Sequence, residues 1–349
     1  MYLRILFFLT ITLSSAFAKN NQNDSLITIK KSGFLYRIVQ NGKFEYINGH
    51  GEIVIKPQYE ESYDFKEELA RIRVRGKWGY IDTTGSIIIE PQFEEAYDFS
   101  ESLAHVKQNG KWGYINKAGE FAIKPKYADA FPFSEGLAVV QFVDRIFFID
   151  VNMGYGFIDR NGELAFGRKF DYARSFSEGF APIRIQKKIL FFPISEIWKF
   201  MDKKGNFLPF TSSNGIGQFC EGLARVQIGN KMGYIDKQGE IVIKPQFEEA
   251  CDFSQCLAAV RKEDAWGFID KAGQVVIDFQ YEYAFDFSED LAPVKIDSTW
   301  GFIDKSGMIA IEPQFDLCKR FINGLAAIQI GDKMGYINIS GKIIWQPSK

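Results

Sequence analysis

Two histidines, four cysteines and 44 aspartates and glutamates are the residues with which this 349-residue chain would have to do acid–base, nucleophilic or metal chemistry. His50 falls at a turn and His105 on an alternating segment, and neither has a Ser, Cys or second His at the spacing of a catalytic triad or a zinc site. There is no glycine-rich phosphate loop and no H-E-x-x-H. Carboxylates recur in pairs, as in Glu60-Glu61, Glu94-Glu95 and Glu248-Glu249, just after a Pro-Gln-aromatic triplet, and read as a solvated face. A glycosidase needs two carboxylates across one bond, and nothing singles out such a pair. No catalytic residue, metal site or cofactor is expected. Cys220 and Cys256 lie in neighbouring connectors at near-equivalent positions, so a disulfide between them is one reading; free buried thiols, for Cys251 and Cys318 as well, are the other.

The remaining composition speaks of architecture. Phe (34), Tyr (15) and Gly (31) favour strands and turns. With 42 Lys and Arg against 44 acids there is no basic excess of the kind nucleic acid requires. Arg4, the apolar run Ile5 to Leu13 and the small-residue stretch ending Ala16-Phe17-Ala18 have the form of a secretory signal peptide over residues 1–18, so the chain is expected to be exported, periplasmic or secreted. No later run is long enough for a transmembrane helix. Residues 19–32 form an N-terminal edge segment, within which Leu26 to Lys30 could add a strand, and 33–349 a single domain.

That domain is a tandem repeat. Lys77-Trp78-Gly79-Tyr80-Ile81-Asp82 returns as Lys111-Trp112-Gly113-Tyr114-Ile115-Asn116, and units are centred near 45, 79, 113, 156, 199, 233, 267, 301 and 335. From the Gly position to the next Leu-Ala (Leu69, Leu103 and their equivalents) the spacing is always 24; from there to the next Gly position it is 10, except before Gly156 and Lys199, where it is 19. An Asp or Asn closes the Trp-Gly strand in all nine units (Asp82, Asn116 and equivalents) with Gly three residues later, the signature of a capped tight turn. Each unit therefore reads as a three-stranded antiparallel meander that its Pro terminates. Phe99 and Ala104 recur at fixed offsets, as close packing between units demands, and an isolated meander is too small to be stable alone. The Trp-Gly tryptophans (Trp78, Trp112, Trp266, Trp300) share their slot with Met232 and Met334, which favours a core position over a sugar-stacking ladder. Nine units exceed the usual four to eight propeller blades and show no strand exchange, so the expected fold is all-β, an open curved array, with propeller-like closure as the alternative.

The two nine-residue extensions fall in the same hairpin of adjacent units and are rich in aromatic and aliphatic residues. Repeat-specific insertions project from one face, often the binding face. Phe142, Arg145, Ile146, Phe147 and Phe148 in the first, with Lys187, Lys188, Leu190, Phe191 and Phe192 in the second, are the candidate partner-binding residues. The competing expectation is that the two hairpins pair with each other as a local mini-core.

The pattern Lys-Trp-Gly-Tyr-Ile-Asp, Gly, Pro-Gln-Phe, Phe-Ser-Glu-Gly-Leu-Ala resembles the WG-repeat family over roughly residues 33–347. The fifth unit departs from it, with Lys199 for Gly and Thr211-Ser212-Ser213 for Pro-Gln-Phe. The resemblance implies tandem β modules used outside the cytoplasm, with no shared catalytic residues to transfer. The functional expectation is an exported, non-enzymatic scaffold binding a protein or an envelope polysaccharide; the alternative is a carbohydrate-active enzyme using Asp or Glu of the irregular central units.

Overall fold

The computed structural model describes residues 33–40, 42–146, 149–189 and 192–346. The signal-peptide segment and the edge strand expected at Leu26 to Lys30 lie outside these residues. Among the described residues there are strands and turns but no helix, hence none long and apolar enough to cross a membrane.

Nine antiparallel sheets follow one another along the chain, each built from a contiguous segment. We number them as blades 1 (36–59), 2 (61–93), 3 (95–127), 4 (129–170), 5 (172–212), 6 (216–247), 7 (249–281), 8 (283–315) and 9 (317–345). Blade 2 shows the type: Leu69–Val74, Lys77–Asp82 and Ile87–Phe93 form the expected meander, with Arg71 opposite Tyr80 and Tyr80 opposite Ile89. The expected three strands become four, because Glu61–Ser62 pairs with the far edge of Leu69–Val74. The same short first strand begins blades 3, 4, 5, 7, 8 and 9, and in blade 6 it lengthens to Ile216–Cys220.

The proline does not end its strand, as the sequence suggested. Pro91 lies inside Ile87–Phe93, in a bulge: Trp78 faces Phe93 and Tyr80 faces Ile89, so two extra residues are accommodated on the outer strand. Proline suits a bulge because the unpaired residue needs no N–H donor. The bulge also crowds the glycine that stands here in seven of the nine blades, although blade 1 carries Glu45 opposite the same kind of bulge. A Cβ on Gly79 would stand 2.4 Å from the Ile89 carbonyl oxygen and 2.7 Å from Pro91 N, and Gly113, Gly233 and Gly301 meet the same wall of backbone.

The expected turn caps are present in all nine blades. The Asp82 carboxylate accepts the N–H groups of Thr84 and Ser86 at 2.9 and 3.0 Å, and the corresponding Asp or Asn does the same from blade 1 (Asn48) to blade 9 (Asn338). The turn glycine fits against the preceding blade: Gly85 sits on the Ile55 side chain and Gly119 on Ile89, at distances that leave little room for a side chain.

The core lies between blades rather than within them. Leu69, Trp78, Tyr80, Ile89 and Phe93 of blade 2 pack with Ala96, Phe99, Ala104, Val106 and Ile115 of blade 3, and seven further clusters join successive blades in the same way. The recurring connector phenylalanine is the centre of each seam. Its ring meets an aromatic ring of the preceding blade at 4.8–5.0 Å in eight pairs from Tyr46–Phe65 to Phe302–Phe321. Where the earlier ring is tyrosine, its hydroxyl donates to a connector carbonyl across the seam, as Tyr80 does to Tyr97 at 2.6 Å.

A ninth seam closes the ring, so the open array is replaced by a nine-bladed β-propeller. The Tyr336 hydroxyl of blade 9 donates to the Arg37 carbonyl of blade 1 at 2.8 Å, the Tyr36 and Tyr336 rings stand 5.6 Å apart, and Tyr36 donates to the Asn323 carbonyl. Gly51 lies against the backbone of Ile344. Among the described residues no strand is exchanged between blades 9 and 1. Closure comes instead from the same kind of side-chain contact that joins the other blades.

Candidate functional site

The regular blades set the standard against which a site can be recognised, because the same polar contacts recur in them from blade to blade. The paired acids are not merely a solvated face. Glu60 accepts the backbone N–H groups of Arg75 and Gly76 at the hairpin turn, which holds its carboxyl below the usual range, and Glu61 pairs with Arg73 at 2.5 Å. Blade 3 repeats both contacts through Glu94 and Lys107–Glu95, and blade 7 repeats the ion pair as Arg261–Glu249. At the connector tips a Glu or Gln reaches across to a backbone N–H of the next blade at seven seams, Glu101 to Gly136 for example. Arg160 then pairs with Glu101 at 2.9 Å. Deeper in, Arg71 is held by Asp98 at 2.8 Å and Arg225 by Asp252 at 3.0 Å; burial raises the carboxyl pKa of both aspartates despite their arginines.

Blades 4 and 5 break this wiring. The extensions lengthen their hairpins to Ala138–Ile146 with Ile149–Ile158 and Phe180–Ile189 with Phe192–Asp202. The outer strand shrinks to single bridges, Tyr155 to Phe170 and Ile158 to Leu164 in blade 4, Trp198 to Ser212 and Met201 to Phe207 in blade 5. The two hairpins belong to separate sheets, so the expected hairpin-to-hairpin pairing is not formed as a ladder. In blade 5 the glycine position holds Lys199, whose ammonium lies 5.3 Å from the Phe207 ring centre.

At the base of these hairpins the structure opens a recess of about 530 Å³, lined by Gly154, Lys169, Phe170, Asp171, Arg184 and Gln186, with half-exposed Met153 at its edge. Two of its polar residues, Arg184 and Lys169, depart from their repeat roles. Arg184 occupies the position of Arg73, but the acid opposite is replaced: its cross-strand neighbour is Tyr172. The guanidinium lies 5.4 Å from the Tyr172 ring centre and meets Glu196 only at 3.5 Å; its buried Nε, like those of Arg73 and Arg261, has no acceptor among the described residues. Asp171 stands where Glu60 and Glu94 stand and keeps their contact, accepting at 2.8 Å the N–H of Gln186, the equivalent of Arg75 and Asn109. Lys169 replaces the glutamine of Pro-Gln-Phe, and its ammonium lies 4.5 Å from the Phe142 ring centre.

Of the candidate partner-binding residues, Phe142 packs inward, edge to face with Tyr127 at 5.5 Å and against the core shared by blades 3 and 4. Arg145, Ile146, Lys187, Lys188 and Phe192 lie on the long hairpin strands, where the backbone but not the side chains is described. Phe147, Phe148, Leu190 and Phe191 lie outside the described residues. The insertions flank this recess; Arg184 and Asp171 were not among the candidates read from the sequence, and the signal for Arg184 was Tyr172 in place of an acid opposite it.

A second recess, of about 460 Å³, lies where blades 3 and 4 meet, lined by His105, Asp98, Asp129, Phe131 and Pro132 among others. His105 stands where Arg71 and Arg225 stand in their blades. It stacks on Tyr97 at 4.5 Å, and its buried Nδ1 has no partner among the described residues. Burial, with a smaller push from Arg71, lowers its pKa to about 3, so the ring is neutral at ordinary pH. His50 sits far along the chain in an exposed turn. The four core tryptophans, Trp78, Trp112, Trp266 and Trp300, are all buried, as expected, whereas Met334 in the same slot is 44% exposed.

The Cys220–Cys256 disulfide is not formed; all four cysteines are free. The two positions are offset by two residues in the repeat. Cys220 matches Ser254, which donates across its seam to the Phe287 carbonyl, while Cys256 matches Gly222 at the left-handed turn, with φ of 71°. Burial pushes the thiol pKa of Cys220 up to about 11 and that of Cys251 up to about 12.

A model of the WG containing repeat matches residues 46–78, 78–112, 112–142, 155–188, 232–264, 266–300 and 300–333, skipping the fifth unit. Among solved structures, a eukaryotic initiation factor superposes with a TM-score of 0.60 at 11% identity, covering 90% of this chain and 96% of the other. AztD from Citrobacter koseri gives 0.43 at 11% identity, covering 80% and 95%. The extracellular domain of BT4673 from B. thetaiotaomicron gives 0.34 at 11% identity, covering 88% and 53%. No curated protein matches.

Proposed function

Since the chain belongs to the WG containing repeat family, and family and fold alone do not specify a ligand, we propose its function from the place where its hairpins lengthen: it is an exported, non-catalytic scaffold that binds a protein or envelope polysaccharide through blades 4 and 5. The supporting observation is the pair of adjacent elongated hairpins standing over a polar recess. The other blades supply a rigid ring whose polar groups are largely committed to each other. Export rests on the N-terminal signal pattern, and N-terminal sequencing of the secreted chain should begin at Lys19. The binding reading is tested by replacing both long hairpins with the short hairpin of blade 2 and recovering partners from envelope extracts. The shortened protein is expected to keep its melting temperature and lose the partners. Recovery of the same partners, or turnover of a glycan by the intact protein, overturns the reading.

A further inference from the structure

The geometry points to a specific ligand class for the recess between blades 4 and 5: an acidic saccharide, a sugar unit bearing a carboxylate among its hydroxyls. This rests on the binding reading given above and names what the base of the hairpins takes. Three observations carry it.

The first is charge that the repeat pairs only loosely here. Arg73, Lys107 and Arg261 each meet the glutamate opposite, at 2.5, 2.6 and 3.0 Å. Arg184, at the same register, faces Tyr172 and meets its nearest described acid, Glu196, only at 3.5 Å. With Lys169 on the same wall, the recess presents two cations, the geometry that an arginine fork and an ammonium offer to a carboxylate. The second is the presence of acceptors beside those donors. A bare inorganic anion or an acidic side chain wants donors alone, whereas sugar hydroxyls both give and take hydrogen bonds. The Asp171 carboxylate and the Gln186 amide stand on the same surface as the cations. The third is shape. Gly154 is pressed against the Phe170 carbonyl, where a Cβ would lie 2.6 Å from the oxygen, so the floor is bare backbone, and the volume of about 530 Å³ lies within the ordinary range of small-molecule sites.

Titration calorimetry on the full chain with trigalacturonate, maltotriose and a short polyglutamate tests this. Trigalacturonate should bind, maltotriose at least tenfold more weakly, and polyglutamate no better than maltotriose. Arg184→Gln should weaken trigalacturonate at least tenfold and Lys169→Gln severalfold. Arg184→Lys should restore part of the loss, and Arg73→Gln, the same register in blade 2, should leave binding unchanged. Equal binding of the neutral and acidic trisaccharides, preference for polyglutamate, or indifference to Arg184→Gln in a variant that melts normally overturns the proposal. The hairpin-shortened protein separates this inference from the reading beneath it. If it loses its envelope partners while recess variants keep theirs and no acidic sugar binds, the saccharide site alone fails. If it keeps its partners, the scaffold reading fails whatever the recess does.

Discussion

Blade 2 and blade 5 are the same unit under different constraints. In blade 2 a proline bulge presses the outer strand onto Gly79, a short hairpin turn takes both oxygens of Glu60, and Arg73 is paired with Glu61. In blade 5 the hairpin is longer, the outer strand is reduced to bridges, a lysine stands at the glycine position, and Arg184 has lost the acid opposite. These departures are linked. Lengthening the hairpin carries its turn away from the acid, which keeps only a strand N–H at that register to bind, and the bulge that crowds Gly79 is absent opposite Lys199. In a repeat protein, function is most readily found where a compensated interaction loses one partner, because the intact copies show what the other partner was for.

The largest expected break in this comparison is at the glycine. Gly79→Ala drives a Cβ into the backbone of the outer strand at Ile89, Glu90 and Pro91 and should destabilise the protein by about 3 kcal/mol in denaturant unfolding. Gly156→Ala in blade 4 meets only the side-chain ends of Leu164 and Phe142, at 2.8 and 2.9 Å, and should cost less than half as much. Equal losses would mean that the bulge does not dictate the residue. The border of the irregular region gives the next effect. His105 has a folded pKa of about 3, below its value of about 6.5 in the unfolded chain. The unfolded state therefore takes up the proton first. Stability that is full above pH 6.5 should fall as the pH drops toward 3, by at most about 1.4 kcal/mol per pH unit. His105→Gln should flatten that part of the stability–pH curve, and Arg71→Gln, which removes the smaller cationic push on the ring, should flatten it only slightly.

Smaller again is the seam hydroxyl. Tyr80→Phe leaves the Tyr97 carbonyl without its 2.6 Å donor and should cost about 1 kcal/mol. Blades 4 and 5 already carry Phe157 and Phe200 there, and Phe157→Tyr should not stabilise the protein unless its seam offers an acceptor. The smallest effect is expected at the rim. Glu101→Gln weakens the partly exposed bridge to Arg160 and should cost about 0.5 kcal/mol, less at high salt.

Much of this was legible in the sequence because it is local or periodic. Turn caps, hairpin lengths, the aromatic seam and the place of the insertions all follow from residues a few positions apart or one repeat apart. Two things were not. Pro91 read as a terminator because a proline ending a strand and a proline inside a bulge look alike until the facing Gly79 is seen against it. Ring closure was hidden because it depends on the small rotation between blades accumulated nine times, and its contacts, such as Tyr336 to Arg37, join residues that no local pattern connects. The recess was only half legible: the insertions marked it, but the importance of Arg184 appears only once Tyr172 is found opposite.

The latch between blades 9 and 1 has a topological consequence. Among the described residues it is made of side chains and turns, not of one chain segment woven into a sheet at the other end. The start and finish of the ring are thus neighbours without being interlocked, and which blade comes first is an accident of the reading frame rather than a requirement of the architecture. A circular permutant, spliced across the present latch and opened between blades 7 and 8, should rebuild the same ring with its weakest joint relocated.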